Sequence, residues 1–163
     1  MGLLPIVLSM AVAIQMPPRR PAGLPHKVIY IDGNNLMMQR KVTKGRVQLA
    51  EKVSGLTRGD VFLVFDGKPG EEFQMTGTDP CVVVTAGGVD GEHRVSADEW
   101  IMQQLKQRAL REAKVEVVTA DRMLRHGAHQ VSAKTINPVK WWRRYLPRLK
   151  GLKSDYSNTQ RAP

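Results

Sequence analysis

Short runs of continuous apolar residues recur along the chain at Val28–Ile31, Val61–Phe65, Cys81–Thr85 and Val115–Thr119. They are rich in β-branched residues and show no polar alternation, which predicts strands buried on both faces. Between them the apolar period lengthens to that of a helix. Val47, Leu49, Ala50 and Val53 predict a helix over 45–55, broken by Thr57-Arg58-Gly59-Asp60. Ser96 and Glu99 form an S-x-x-E capping box and predict a helix over 96–113. Asn137-Pro138 sets an N-cap before a proline at the first helical position, predicting a last helix that Pro147 stops after Leu146. Ala128–Val131 is expected to be a short fifth strand. Asp32-Gly33-Asn34-Asn35 reads as a turn, and 87–91 as a flexible connection. The Gly- and Pro-containing segment Gly67–Pro80 reads as a long loop or a small hairpin. Strands that alternate with helices predict an α/β fold, a parallel sheet covered on both faces. No internal repeat is present.

The ends of the chain differ from this middle. Residues 3–16 are almost all apolar, and Pro17, Pro18, Pro21 and Pro25 stiffen the segment that follows. Fourteen residues are too few to span a bilayer, so no stable membrane insertion is expected. The segment lacks acids, as organellar transit peptides do, and a start codon placed too early is the other reading. The expected location is the cytoplasm, with a chloroplast or mitochondrion as the alternative if residues 1–26 direct targeting. The expected organisation is that N-terminal segment over 1–26, one folded domain over 27–150 and a disordered basic tail over 151–163.

Charge adds a partner class. The net charge is +10, and ten Lys or Arg lie from Arg122 to the end against one acid, Asp155. A one-sided basic surface favours polyanions. The single cysteine, Cys81, excludes an internal disulfide and reads as a small buried hydrophobe. His93, His126 and His129 lack ligand spacing, and no G-x-x-x-x-G-K-[ST] loop exists.

Against that basic background four aspartates stand out. Asp32 and Asp66 close the first two strands, and Asp121 follows the fourth. In a parallel sheet all three then share the C-terminal edge, where ligands bind. Asp98 sits four and seven residues before Met102 and Leu105, on the apolar side of its helix. A bare carboxylate there is costly unless a cation or partner compensates it. Clustered carboxylates repel one another, and a hard divalent cation such as Mg²⁺ or Mn²⁺ removes the conflict. Such a site activates water for phosphoryl displacement. Asn35, Lys68, Arg94 and Arg122 flank the acids and are candidates for substrate contacts. Trp141 and Tyr145 sit four apart among cations, and packing onto the sheet explains them better than base stacking.

The motifs V-I-Y-I-D-G-N-N-L, V-F-L-V-F-D-G, R-V-S-A-D-E-W-I and V-E-V-V-T-A-D-R-M-L-R resemble the NYN domain of the YacP-like branch of the PIN-like nuclease superfamily. H-G-A-H-Q-V-S-A-K is similar to that branch's closing strand. The resemblance runs through 27–146. It implies a Rossmann-like three-layer α/β/α sandwich and a Mg²⁺- or Mn²⁺-dependent endoribonuclease. It also implies that Asp32, Asp98 and Asp121 are metal-site acids, with Asp66 and Asn35 in support. RNA is the implied partner, at the ribosome for some relatives. Gly67–Pro80 departs from the family pattern. The competing reading is a catalytically inactive RNA- or ribosome-binding module of the same fold. A haloacid dehalogenase-type phosphohydrolase needs an aspartate where Tyr30 stands.

Overall fold

The computed structural model describes residues 27–39, 45–89, 94–108 and 113–158, with side chains through Arg148. The apolar runs become strands: β1 (Lys27–Asp32), β2 (Asp60–Phe65), β4 (Cys81–Val84) and β5 (Lys114–Val118). Two short strands join them, β3 (Gln74–Thr76) and β6 (Lys134–Ile136). The helices are α1 (Gly33–Met38), α2 (Arg46–Val53), α3 (Ala97–Arg108), α4 (Arg122–Gln130) and α5 (Pro138–Asn158). The sheet order is β3-β4-β2-β1-β5-β6. Every neighbouring pair is parallel except β3 with β4. The chain builds outward from β1 to one side, then returns to add β5 and β6 on the other. The order therefore reverses beside β1, which is where an open α/β sheet forms a binding crevice.

Side-chain alternation along each strand divides the core in two. Val28 and Tyr30 of β1, Phe62 and Val64 of β2, and Val117 of β5 face Ala97, Trp100, Ile101 and Leu105 of α3 and Leu124 and Ala128 of α4. Ile29 and Ile31, with Val61, Leu63 and Phe65, face the opposite layer. There they meet Leu36 of α1, Leu49 and Val53 of α2, and Trp141, Trp142 and Tyr145 of α5. Both faces are thus covered, and the result is the three-layer α/β/α sandwich with a mostly parallel sheet. Each buried Val, Leu, Ile or Phe among them contributes about 1.5–3 kcal/mol by leaving water. Trp141 and Tyr145 are core residues, as the sequence suggested, and Trp142 is more deeply buried than either.

Several elements differ from the sequence reading. The expected turn 32–35 is the start of α1, because the Asp32 carboxylate accepts a hydrogen bond from the Asn35 amide and caps the helix. Ala128–Val131 is not a strand. Asp121 caps α4, Leu124 and Ala128 supply its buried stripe, and the chain leaves the helix only at Val131. The last strand, β6, starts at Lys134 and pairs in parallel with β5. The Gly67–Pro80 segment does contain half a hairpin, since β3 returns antiparallel onto β4. Finally, α5 continues through Pro147 to Asn158, into the stretch expected to be disordered. A proline removes one helical hydrogen bond, and here the helix continues past it. Residues 1–26 and 159–163, and the last residues expected for α3, lie outside the described residues. Among the described residues no helix is long and apolar enough to cross a membrane.

Candidate active site

Strand parity aims the acids. Asp32 follows Val28 and Tyr30 on β1, and Asp66 continues the Phe62–Val64 face of β2, so both point toward the α3 layer. Register sets Ile31 beside Val118, which puts Thr119 beside Asp32. The Thr119 hydroxyl donates to Asp32 Oδ2 at 3.1 Å and accepts from the Asp121 amide at 3.0 Å. One fully buried threonine thereby links two of the four acids. Nothing in the periodicity marks it. The signal that exposes it is register: it is the residue that extends β5 level with Asp32.

Asp32 is only 2% exposed. Its Oδ1 accepts from the Asn35 amide at 3.0 Å, and its Oδ2 accepts from the Asn35 side-chain amide. Burial raises its pKa, the hydrogen bonds from Asn35 and Thr119 oppose that, and the charge of Asp66 adds to it. Asn35 is therefore turned onto Asp32 rather than outward. Its neighbour Asn34, unmarked in the sequence reading, donates to Asp66 Oδ2 at 2.6 Å. Gly33 starts α1 so close to Phe65 that a methyl group there would run into the ring. The D-G-N-N sequence thus caps a helix, admits the ring and holds two carboxylates.

Asp66 is the acid most occupied by structure. Its Oδ1 accepts from the Ala97 amide at 2.8 Å, so the end of β2 grips the first turn of α3. Ser96 and Glu99 complete that turn as the predicted capping box, Glu99 N to Ser96 Oγ at 3.1 Å and Ser96 N to Glu99 Oε2 at 2.9 Å. This arrangement swings Asp98 toward the other acids. Asp98 does not lie at the centre of the apolar stripe, which runs through Ala97, Ile101 and Leu105. It sits on the rim beside Met102, half-buried. Its carboxylate has no hydrogen-bond partner among the described residues. Burial, then the charges of Asp32, Asp121, Asp66 and Glu99, push its pKa up to about 6. The fourth acid, Asp121, caps α4 through Oδ1 and the Leu124 amide at 2.8 Å.

The flanking cations are exposed. Arg94 lies 3.9 Å from Asp66 Oδ1. Lys68 and Arg122 make no ion pair with an acid among the described residues. Arg46, not singled out in the sequence, ties the loop after β2. It donates to Glu71 Oε1 and to the Asp66 carbonyl, each at 2.6 Å, and lies over the Phe65 ring. Its hydrogen bond is the first reason that the Glu71 pKa is lowered. Gly67 of this loop passes close to the segment after β4: a methyl group on it would meet the Thr85 carbonyl, and one on Gly87 would collide with the Lys68 carbonyl.

No family model matches the sequence, and no curated protein does. Solved structures do match. A crystal structure of a tryptophan-to-leucine mutant of Rae1 (YacP) from Bacillus subtilis superposes with a TM-score of 0.58 at 17% identity, covering 84% of this chain and 86% of that one. A second crystal structure of Rae1 (YacP) from Bacillus subtilis gives 0.53 at 19% identity, covering 82% and 86%. The chain has the Rae1 (YacP) fold. That agrees with the resemblance carried by the four motifs, and the likeness extends over most of both chains.

Within this Rae1-type fold, no three His, Cys, Asp or Glu side chains among the described residues close into a ready metal cage. The donor chemistry nevertheless fits a hard divalent cation. All four groups are carboxylates, Asp98 is unpartnered, and Asp121 keeps Oδ2 free of hydrogen bonds among the described residues. The crowding has a measurable consequence. The folded Asp98 pKa lies near 6, above its ordinary 3.8, so the folded protein keeps a proton there that the unfolded chain loses first. Stability from this group is therefore full below about pH 4 and is lost as pH rises through 6. Asp98→Asn is expected to melt about 2–4 °C higher than wild type at pH 7.5 in chelator, after discounting for solvent screening. Near pH 4 the two should coincide. Equal melting temperatures at both pH values would show that Asp98 does not face the other acids.

Proposed function

We propose that this protein is a metal-dependent endoribonuclease that hydrolyses RNA phosphodiester bonds in the crevice lined by Asp32, Asp66, Asp98 and Asp121. The observation that carries the reading is Asp98, a half-buried carboxylate without a hydrogen-bond partner among the described residues, whose pKa is pushed up to about 6 by burial first and then by the charges of Asp32, Asp121 and Asp66. Such a cluster repels phosphates as well as its own members. A surface that only bound RNA would gain nothing from it. Mg²⁺ or Mn²⁺ held by Asp32, Asp98 and Asp121 would neutralise the cluster, polarise a phosphoryl oxygen and acidify water.

The chain's own residues have separable tasks in this reading. Thr119 and Asn35 fix the Asp32 carboxylate, so it need not reorganise as charge develops at phosphorus. Asp66 and Asn34 hold the first turn of α3 and thereby aim Asp98. Asp121, anchored on the first turn of α4, offers its second oxygen to the crevice. Lys68, Arg94 and Arg122 are exposed and flank the acids in sequence, and in this reading they hold the phosphates on either side of the scissile bond. The choice of RNA as substrate is supported by the motif resemblance to PIN-like nucleases and by the shared fold.

The test is cleavage of end-labelled RNA with Mn²⁺, with and without chelator. Internal fragments are expected with the cation and none with chelator. Cleavage that ignores the chelator would overturn the metal requirement, and loss of nucleotides one at a time from an end would overturn the endonucleolytic reading. Binding without any cutting would leave the inactive RNA- or ribosome-binding module in its place.

A further inference from the structure

We propose that the exposed ridge of α5 formed by Lys140, Arg143, Arg144 and Arg148 is a docking surface for the phosphate backbone of RNA that extends out of the crevice. The proposal deepens the reading above, since it rests on RNA being the substrate. The four residues fall at i, i+3, i+4 and i+8, which places them on one face of the helix. All four are exposed, and none forms an ion pair with an acid among the described residues. The opposite face is locked, because Trp141, Trp142 and Tyr145 are buried in the core. The Arg144 and Arg148 guanidinium groups each lie 5.7 Å from the centre of the Tyr145 ring, so they are held along the surface.

The ridge starts at the edge that carries the acids. The Ile136 carbonyl, at the end of β6, accepts from the Thr119 amide at 3.1 Å, and Thr119 is the residue that bonds Asp32. Pro138 opens α5 two residues later. The Trp142 indole donates to the Leu36 carbonyl of α1 at 3.2 Å, which fixes α5 against the helix that Asp32 caps. From Lys140 to Arg148 the ridge runs about 12 Å away from that edge at 1.5 Å per residue. Lys140, Arg144 and Arg148 follow one another about 6 Å apart along the axis, a step comparable to that between phosphates on an extended strand.

Charge complementarity commits the surface to a polyanion. Its hydrophobic pattern selects nucleic acid over a membrane. A helix that lies on anionic lipid buries an exposed apolar face in the bilayer, and the apolar face of α5 is already buried in the core. Because α5 lies in the layer opposite the one the acids face, a strand leaving the crevice would cross the sheet edge to reach Lys140.

The test reads binding rather than cleavage, so it is independent of the catalytic reading. Wild type and a K140Q/R143Q/R144Q/R148Q variant are titrated with a long single-stranded RNA in chelator, at several salt concentrations. Each phosphate contact contributes about 0.7 to the slope of log affinity against log salt. The variant should bind at least about tenfold more weakly at low salt, with a slope flatter by about two to three. An R143K/R144K/R148K variant should keep the wild-type slope, which a merely structural role would not predict. Should the quadruple variant not fold, Lys140→Gln and Arg143→Gln, which touch no ring, should each flatten the slope by about 0.7. Unchanged slopes would overturn the proposal. Ridge-dependent binding to phosphatidylserine vesicles with none to RNA would overturn it too. A flattened slope in a protein that never cuts RNA would leave the ridge standing and remove the nuclease.

Discussion

Asp32→Asn should cleave RNA more slowly than wild type by about two to three orders of magnitude while its fold survives. The asparagine carbonyl can still accept from the Asn35 amide, so the cap on α1 is kept. The Asn35 side chain can turn its own oxygen toward the new amide, and the Thr119 hydroxyl can rotate. Neutralising a carboxylate that is 2% exposed and raised by burial relieves a penalty rather than adding one. What disappears is the negative charge at the centre of the sheet edge. Asp32 is the acid at the switch in strand order, fixed from two sides by Thr119 and Asn35. Asp121→Asn should behave alike. Single-turnover cleavage with saturating RNA and Mn²⁺, beside a thermal melt, checks both halves. Equal cleavage by Asp32→Asn and wild type would sink the mechanism.

Trp142→Ala should be the most damaging change outside the crevice. The ring is fully buried and packs edge-on against Trp141 at 5.3 Å between centroids. Its indole nitrogen supplies the donor for the Leu36 carbonyl in the last turn of α1. Removing it leaves a large cavity and a buried carbonyl without that donor. Loss of a buried tryptophan costs about 3–5 kcal/mol, a large share of the 5–15 kcal/mol that holds an ordinary domain together. At about 2–4 °C per kcal/mol, the melting temperature should fall by roughly 6–20 °C. Trp142→Phe keeps most of the volume and loses the donor, so it should cost about 1–3 kcal/mol. Chemical denaturation of the two variants separates packing from the hydrogen bond. A loss below about 1 kcal/mol for Trp142→Ala would mean that α5 does not pack on α1 as described.

The sheet was legible because its strands are continuous β-branched runs, which only a doubly covered parallel sheet requires. The acids at its edge were legible for the same reason, since a strand end is easy to locate and parallel ends share one side. Short elements were harder. Asp32-Gly33-Asn34-Asn35 has the composition of a turn, and the Asp32 cap, the long-range bond from Asn34 to Asp66 and the fit of Gly33 against the Phe65 ring make it a helix start. Ala128–Val131 has apolar residues only at its two ends, and the cap that makes it part of a helix lies earlier, at Asp121. Pro147 predicts a stop, yet the packing of Trp141, Trp142 and Tyr145 sets the axis of α5 before the proline, and the helix runs through it. Thr119, Asn34 and Arg46 escaped because their roles depend on partners 87, 32 and 20 residues away. No local pattern encodes such separations.

Titration of the protein with Mn²⁺ by calorimetry at pH 7.5, beside Asp98→Asn, is the most direct test that Asp32, Asp98 and Asp121 form one cation site. Wild type should bind the ion, and Asp98→Asn should bind it at least about tenfold more weakly. Lowering the pH through 6 should weaken wild-type binding as Asp98 takes up its proton. Equal affinity in the two proteins, or no binding by wild type, would contradict the account.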